Sequence, residues 1–207
     1  MLRSLEDLTG ASVMAVDGGI GTVRNCIFDD QSWDIRYLVV DVGSWLARSD
    51  VVIALSAVGQ PDWDRKTLRV NLTKVQVRNS PDVDSKKPVS RQQEIAMREY
   101  FKWPAYWENG GYAEFPAVSI PAGREFPVHT QEDPHLRSAE AVTGYAVWGE
   151  DGEVGRLENF ILDEASWHIG YLDVKMGDWL HSRSVLVPTR WVMSVSWAHH
   201  RVNLCHA

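Results

Sequence analysis

Apolar and polar positions alternate along one stretch of the chain with period two. Leu38, Val40 and Val42 fall on one side, and Ile35, Tyr37, Val39 and Asp41 on the other. The arrangement returns at Leu172, Val174 and Met176, set against Ile169, Tyr171, Asp173 and Lys175. One side keeps its apolar character while the other drifts, Val39 becoming Asp173 and Asp41 becoming Lys175. That contrast predicts a strand with a buried side and a solvent side in each copy. A preceding strand puts Val23, Asn25 and Ile27 on one face, answered by Leu157, Asn159 and Ile161, and its apolar members are expected in the core. Residues 51–53 and 185–187 supply a further strand, and residues 67–72 and 201–204 another. Asp17-Gly18-Gly19 and Asp151-Gly152 are hairpin tips, because these residues tolerate positive φ. About five or six short strands in so few residues favour a small closed barrel, which leaves no exposed sheet edge.

The pattern is a duplication. DDQSWDIRYLVVDVGSWL, residues 29–46, returns as DEASWHIGYLDVKMGDWL, residues 163–180, in one unbroken register about 134 residues later. The copies align without a gap from Leu2 and Leu136 as far as Trp63 and Trp197. Beyond that point RVNL at 69–72 matches RVNL at 201–204, so the second copy reads as two residues shorter, with a turn trimmed. The expected organisation is a first barrel at 1–80, a connector at 81–135 and a second barrel at 136–207. Within the connector, residues 79–90 are polar and carry proline, and Ser90 with Gln93 fits a capping box. A helix is predicted over about 91–103, ended by Pro104. Units this small are expected to gain stability by docking on a neighbour.

The carriers of a family resemblance are the openings LRSLEDLTG and LRSAEAVTG, the hairpins VDGGIG and EDGEVG, and the runs D-[DE]-x-x-S-W-x-I-x-Y-L, each followed by G-x-W-L. In these the chain resembles the PRC-barrel family, named for the photosynthetic reaction centre, whose H subunit carries this barrel as its cytoplasmic domain. The connector resembles the link of bacterial proteins with two such barrels. The resemblance covers most of the chain, leaving the loop from about 108 to 134 outside it. It implies a mainly β fold of two barrels joined by a connector with one helix, and an adaptor in place of an enzyme. In the reaction-centre subunit the barrel supports electron transfer, and in a ribosome-maturation factor a barrel docks on a ribosomal protein.

Charge narrows the partners. The 28 acidic and 21 basic residues give a formal net charge of −7, which repels phosphate backbones and anionic lipid, so nucleic acid is disfavoured as a partner. The N-terminus lacks an apolar segment of signal-peptide length, and no run approaches the ~20 apolar residues of a membrane span, which predicts a soluble, cytoplasmic protein. Cys26 and Cys205 lie at unrelated positions of the two copies and are expected to be reduced thiols.

The chemistry-bearing residues favour structural roles. Asp29-Asp30 and Asp163-Glu164 end strands where carboxylates cap turns, and no partner across a cleft is nominated. Asn25 and Asn159 point an amide inward and are expected to satisfy backbone groups at a bulge or corner. His199, His200, Cys205 and His206 form the one grouping that could bind zinc or copper, but the first copy has no matching ligands and adjacent histidines on a strand point apart. Catalytic, cofactor and metal sites are therefore not assigned. The ten tryptophans suggest an interface instead: Trp45-Leu46 and Trp179-Leu180 at glycine turns, with Trp103 and Trp107 at the end of the helix, are the candidate partner surface. The expected function is a non-catalytic scaffold that docks a protein or self-associates. A metal- or small-ligand-binding sensor and an RNA-processing or ribosome-associated adaptor are the alternatives.

Overall fold

The computed structural model describes residues 1–43, 50–81, 91–102, 135–177 and 183–205, with the backbone alone described at 91–94. The chain is mainly β, folded as two barrel-like units. In the first, β1 (Leu2–Ser4) leads into a single helical turn, α1 (Leu5–Leu8), and then β2 (Ser12–Ala15), β3 (Gly18–Asp29), β4 (Ile35–Asp41), β5 (Asp50–Ala54) and β6 (Thr67–Arg69). Two helices follow, α2 (Lys74–Arg78) and α3 (Arg91–Phe101). The second copy repeats the opening as β7 (Leu136–Ser138), α4 (Ala139–Val142), β8 (Ala146–Gly149), β9 (Gly152–Asp163), β10 (Ile169–Met176), β11 (Arg183–Pro188), β12 (Val192–Ser196) and β13 (Arg201–Leu204). The predicted connector helix is thus present as α3, and its proposed cap, Ser90, lies outside the described residues.

The first sheet runs β5-β4-β3-β2-β6 and the second β11-β10-β9-β8-β13-β12. Each is completed by the other copy's opening strand. β1 pairs antiparallel with β9, Leu2 opposite Asp163, and β7 pairs antiparallel with β3, Leu136 opposite Asp29. The two copies thereby exchange their first strands about a pseudo-two-fold axis. Backbone bonds repeat the symmetry, the Ile35 N–H donating to the Trp167 carbonyl at 3.0 Å and the Ile169 N–H to the Trp33 carbonyl at 2.8 Å. One continuous core results, in which Phe28 meets Phe160 with ring centroids 5.3 Å apart.

Two sequence expectations are corrected. Val23 and Ile27 do not share a face, because pairing of β3 with β4 shifts register between Val23 and Asn25. Past that bulge Cys26 and Phe28 join the main core with Val23, while Ile27 turns to the opposite side. Nor is the second copy two residues shorter. Val13 lies opposite Leu68 as Val147 lies opposite Val202, and the Asn71 N–H bonds the Ala57 carbonyl as the Cys205 N–H bonds that of Trp191. The original offset therefore holds to the end, and the RVNL identity is out of register with the fold. A shift of two leaves every side chain on its own face, so hydrophobic alternation could not expose the error.

Candidate docking surface

Each sheet has an inner side facing the shared core and an outer side. On the outer side of the first, Ile27, Tyr37, Val39, Val52, Ala54 and Leu136 form a second buried cluster beneath Met97 of α3, with Phe101 packed against it. Met97 and Phe101 are four residues apart, hence on one helix face. Met97 is 1% exposed, and the Tyr100 hydroxyl donates to the Gln76 carbonyl at 3.1 Å, tying α3 to α2. α2 is itself set by a capping box of Thr73 and Gln76. The side read from alternation as solvent-facing in both copies is therefore covered in the first. Apolar residues on both faces of β4 and β5, together with the Met97–Phe101 spacing, were the available signal.

Among the described residues nothing covers the counterpart surface on the second sheet. Among the described residues α3 has no counterpart there. Leu2 and Leu186 are each 51% exposed, where Leu136 and Val52 at the equivalent positions are 0% and 3%. Ile161, Tyr171 and Pro188 are half-buried beside them. Asp173 stands where the covered face has Val39, opposite Asn159 and Leu186. Its Oδ1 is buried without a hydrogen-bond partner. The cations lining the same recess are engaged elsewhere, Lys175 Nζ bonding Glu158 Oε1 at 2.8 Å and Arg156 donating to the Gly144 carbonyl at 3.3 Å. An apolar strip with one unmet carboxylate oxygen is a surface suited to binding, since an unpaired buried acceptor costs about 1–3 kcal/mol.

The six residues nominated from sequence, Trp45, Leu46, Trp103, Trp107, Trp179 and Leu180, lie outside the described residues. The remaining candidates are placed. Asn25 sits at the β3 bulge and Asn159 at its equivalent in β9. Asn25 Nδ2 donates to Ser138 Oγ at 2.7 Å, and its Oδ1 accepts from the Cys26 and Glu140 backbone amides at 2.8 and 3.1 Å. Asn159 Nδ2 donates to Ser4 Oγ at 2.7 Å and its Oδ1 accepts from the Phe160 amide at 2.8 Å. Both amides are clasps across the exchanged strands. A cleft of about 240 Å³ opens beside them on the pseudo-two-fold axis, with Glu6 and Glu140 on its wall.

The paired carboxylates close the same exchange. Asp30 forms an ion pair with Arg137, whose Nε lies 2.9 Å away, and lies 3.1 Å from His135 Nδ1. Burial pushes its carboxyl above the usual range, against the pull of Arg137 and His135. In the other copy Glu164 accepts from Arg3 Nε at 2.9 Å and faces the amino terminus at 3.5 Å. That hydrogen bond from Arg3 holds the Glu164 carboxyl below its ordinary value. Asp163 is lowered chiefly by the Ala165 amide, as a turn-capping aspartate should be.

The C-terminal group is spread out. His199 Nδ1 lies 2.9 Å from Ser196 Oγ, while His200 packs its ring against Tyr145 and Trp197. Among the described residues no group of three His, Cys, Asp or Glu could hold a metal, and His206 lies outside them. Cys26 is enclosed in the core, where burial pushes its thiol up to about 12. Such a thiol stays protonated and unreactive near neutral pH. Among the described residues no helix is long and apolar enough to cross a membrane.

Comparison with known proteins agrees with this architecture. A protein of Deinococcus radiodurans, described as an uncharacterized protein, is 35% identical over 77 residues, covering 37% of this chain and 27% of that relative. A family model, the PRC-barrel domain, matches residues 2–77, the segment from β1 through most of α2. Over its first repeat, which carries the exchanged opening strand, the bulged β3 and the closing β6, this chain is similar to the PRC-barrel domain family.

Proposed function

We propose that the chain is a non-catalytic tandem PRC-barrel scaffold that docks a protein partner or another copy of itself. The observation that supports this reading is the contrast between two equivalent sheet faces, one closed by α3 and the other uncovered among the described residues. Exposed apolar strips rimmed by polar groups mark interaction sites in soluble proteins. The Trp45-Leu46 and Trp179-Leu180 turns, with Trp103 and Trp107, belong to the same proposal as further contact points.

Light scattering on the intact chain at micromolar concentration, paired with retention of binding partners, tests it. The scaffold reading expects a defined oligomer or a retained partner, weakened by Leu186→Glu or by the double substitution of Trp45 and Trp179 with Ala. A folded monomer that retains nothing would sink it.

A further inference from the structure

The geometry points to a specific occupant of the bare face: an amphipathic α-helix from another polypeptide, presenting a large apolar residue and, four positions before it, a lysine or arginine that pairs with Asp173. The inference rests on the scaffold reading and deepens it by naming the partner's chemistry.

The molecule carries its own template. The first sheet's outer face is filled by one helix that inserts Met97 into the cluster containing Val39, with Phe101 one turn later. The second sheet keeps the same strand pairing at these positions, Tyr171 opposite Pro188 and Asp173 opposite Leu186, as Tyr37 is opposite Ala54 and Val39 opposite Val52. Equivalent backbone surfaces take equivalent ridges, so a helix fits this face in shape. Its chemistry differs at one place. Where the covered face has Val39, a member of the cluster that Met97 enters, Asp173 carries a carboxylate oxygen that is buried and unpartnered, with Lys175 already held by Glu158. An apolar residue there would leave that oxygen unpaired, and a cation would make a charge-assisted bond. Leu186, directly opposite Asp173, supplies the adjacent apolar wall, and Leu2, opposite Asp163, extends the apolar strip along the sheet. Their own α3 cannot serve, since its inner side is occupied on the first sheet.

The test uses the full chain and two hydrocarbon-stapled peptides with the sequence of residues 91–102, one native and one carrying Met97→Lys, read by fluorescence anisotropy. The Met97→Lys peptide is expected to saturate and to bind at least about tenfold more tightly than the native peptide, the factor one good charge-assisted bond supplies. Asp173→Val in the protein should reverse that preference, and Leu186→Glu should weaken both. Equal binding of the two peptides, or a preference that survives Asp173→Val, overturns the proposal. If neither peptide binds while the chain still holds a partner through a surface sensitive to Leu186→Glu, the helix is wrong and the scaffold stands. A two-chain mass abolished by Leu186→Glu would make a second copy the occupant and equally overturn it. A chain that neither binds peptide nor associates removes both readings.

Discussion

Asn25 shows how one residue can serve bulge, helix start and exchange at once. Its Oδ1 takes two backbone amides and its Nδ2 holds Ser138, the residue that caps α4. Removing the amide strands buried donors, so Asn25→Ala should destabilise the chain by about 1–3 kcal/mol. Urea unfolding would register this as a lower midpoint at unchanged slope. Asn159→Ala should cost less, because Asn159 makes the same two clasps without the bond to a helix amide, the Glu6 N–H going to Ser4 Oγ instead. A buried-amide role was legible in the sequence from the repeated inward Asn. Its partners were not, since Ser4 and Ser138 lie more than a hundred residues away. Trp33 and Trp167 were equally hidden: both adopt φ 59°, a region that costs an ordinary side chain about 1–2 kcal/mol. Each offers its carbonyl to the other copy, and Trp33 stacks on Phe28 with centroids 5.4 Å apart.

At the scale of elements, the two copies are alike in strands and unlike in what covers them. Among the described side chains of α3 Met97 is the one that is buried, so the helix's attachment depends on it. Met97→Ala removes a wholly buried side chain and should cost about 2–4 kcal/mol if the helix stays docked. Hydrogen exchange should show protection falling first in α3 and along β5, whereas the second sheet should not change. Uniform loss across both sheets would mean that α3 is part of the cooperative core and not a separate cover. The strands were legible because alternation survives in both copies, and the helix because Ser90 with Gln93 reads as its start and Pro104 as its stop. Which sheet the helix would close was not legible, since Tyr37 and Tyr171 are the same residue, Val52/Leu186 and Ala54/Pro188 exchange one apolar residue for another, and Val39 against Asp173 is the one change of polarity among these pairs. The closing strands misled for a related reason, a repeated tetrapeptide displaced by two, which strand periodicity cannot distinguish from true register.

For the whole molecule, the decisive fact is that Leu2-Arg3-Ser4 and Leu136-Arg137-Ser138 are the same triplet. Either could pair with β3 or β9, so nothing in the sequence declares whether a copy completes its own sheet. The structure gives each triplet to the other copy, then clamps it: Arg3 bonds Glu164 and lies 5.1 Å from the centre of the Trp63 ring, and Arg137 forms an ion pair with Asp30. The exchange has a consequence for folding. Residues 1–80 made alone would have a β3 edge without β7 and a β1 without β9, both open to pairing. Because the triplets are identical, two such fragments can complete each other by swapping β1, reproducing the pseudo-two-fold as a true one. Sedimentation of that fragment should therefore find a dimer whose unfolding midpoint rises with concentration. In that dimer Arg3→Ala should weaken association, as it would remove both clamps from the swapped strand. A folded monomer, stable on dilution and indifferent to Arg3→Ala, would mean that β1 can turn back onto its own β3. The exchange in the full chain would then follow from tandem linkage and not from the repeat itself.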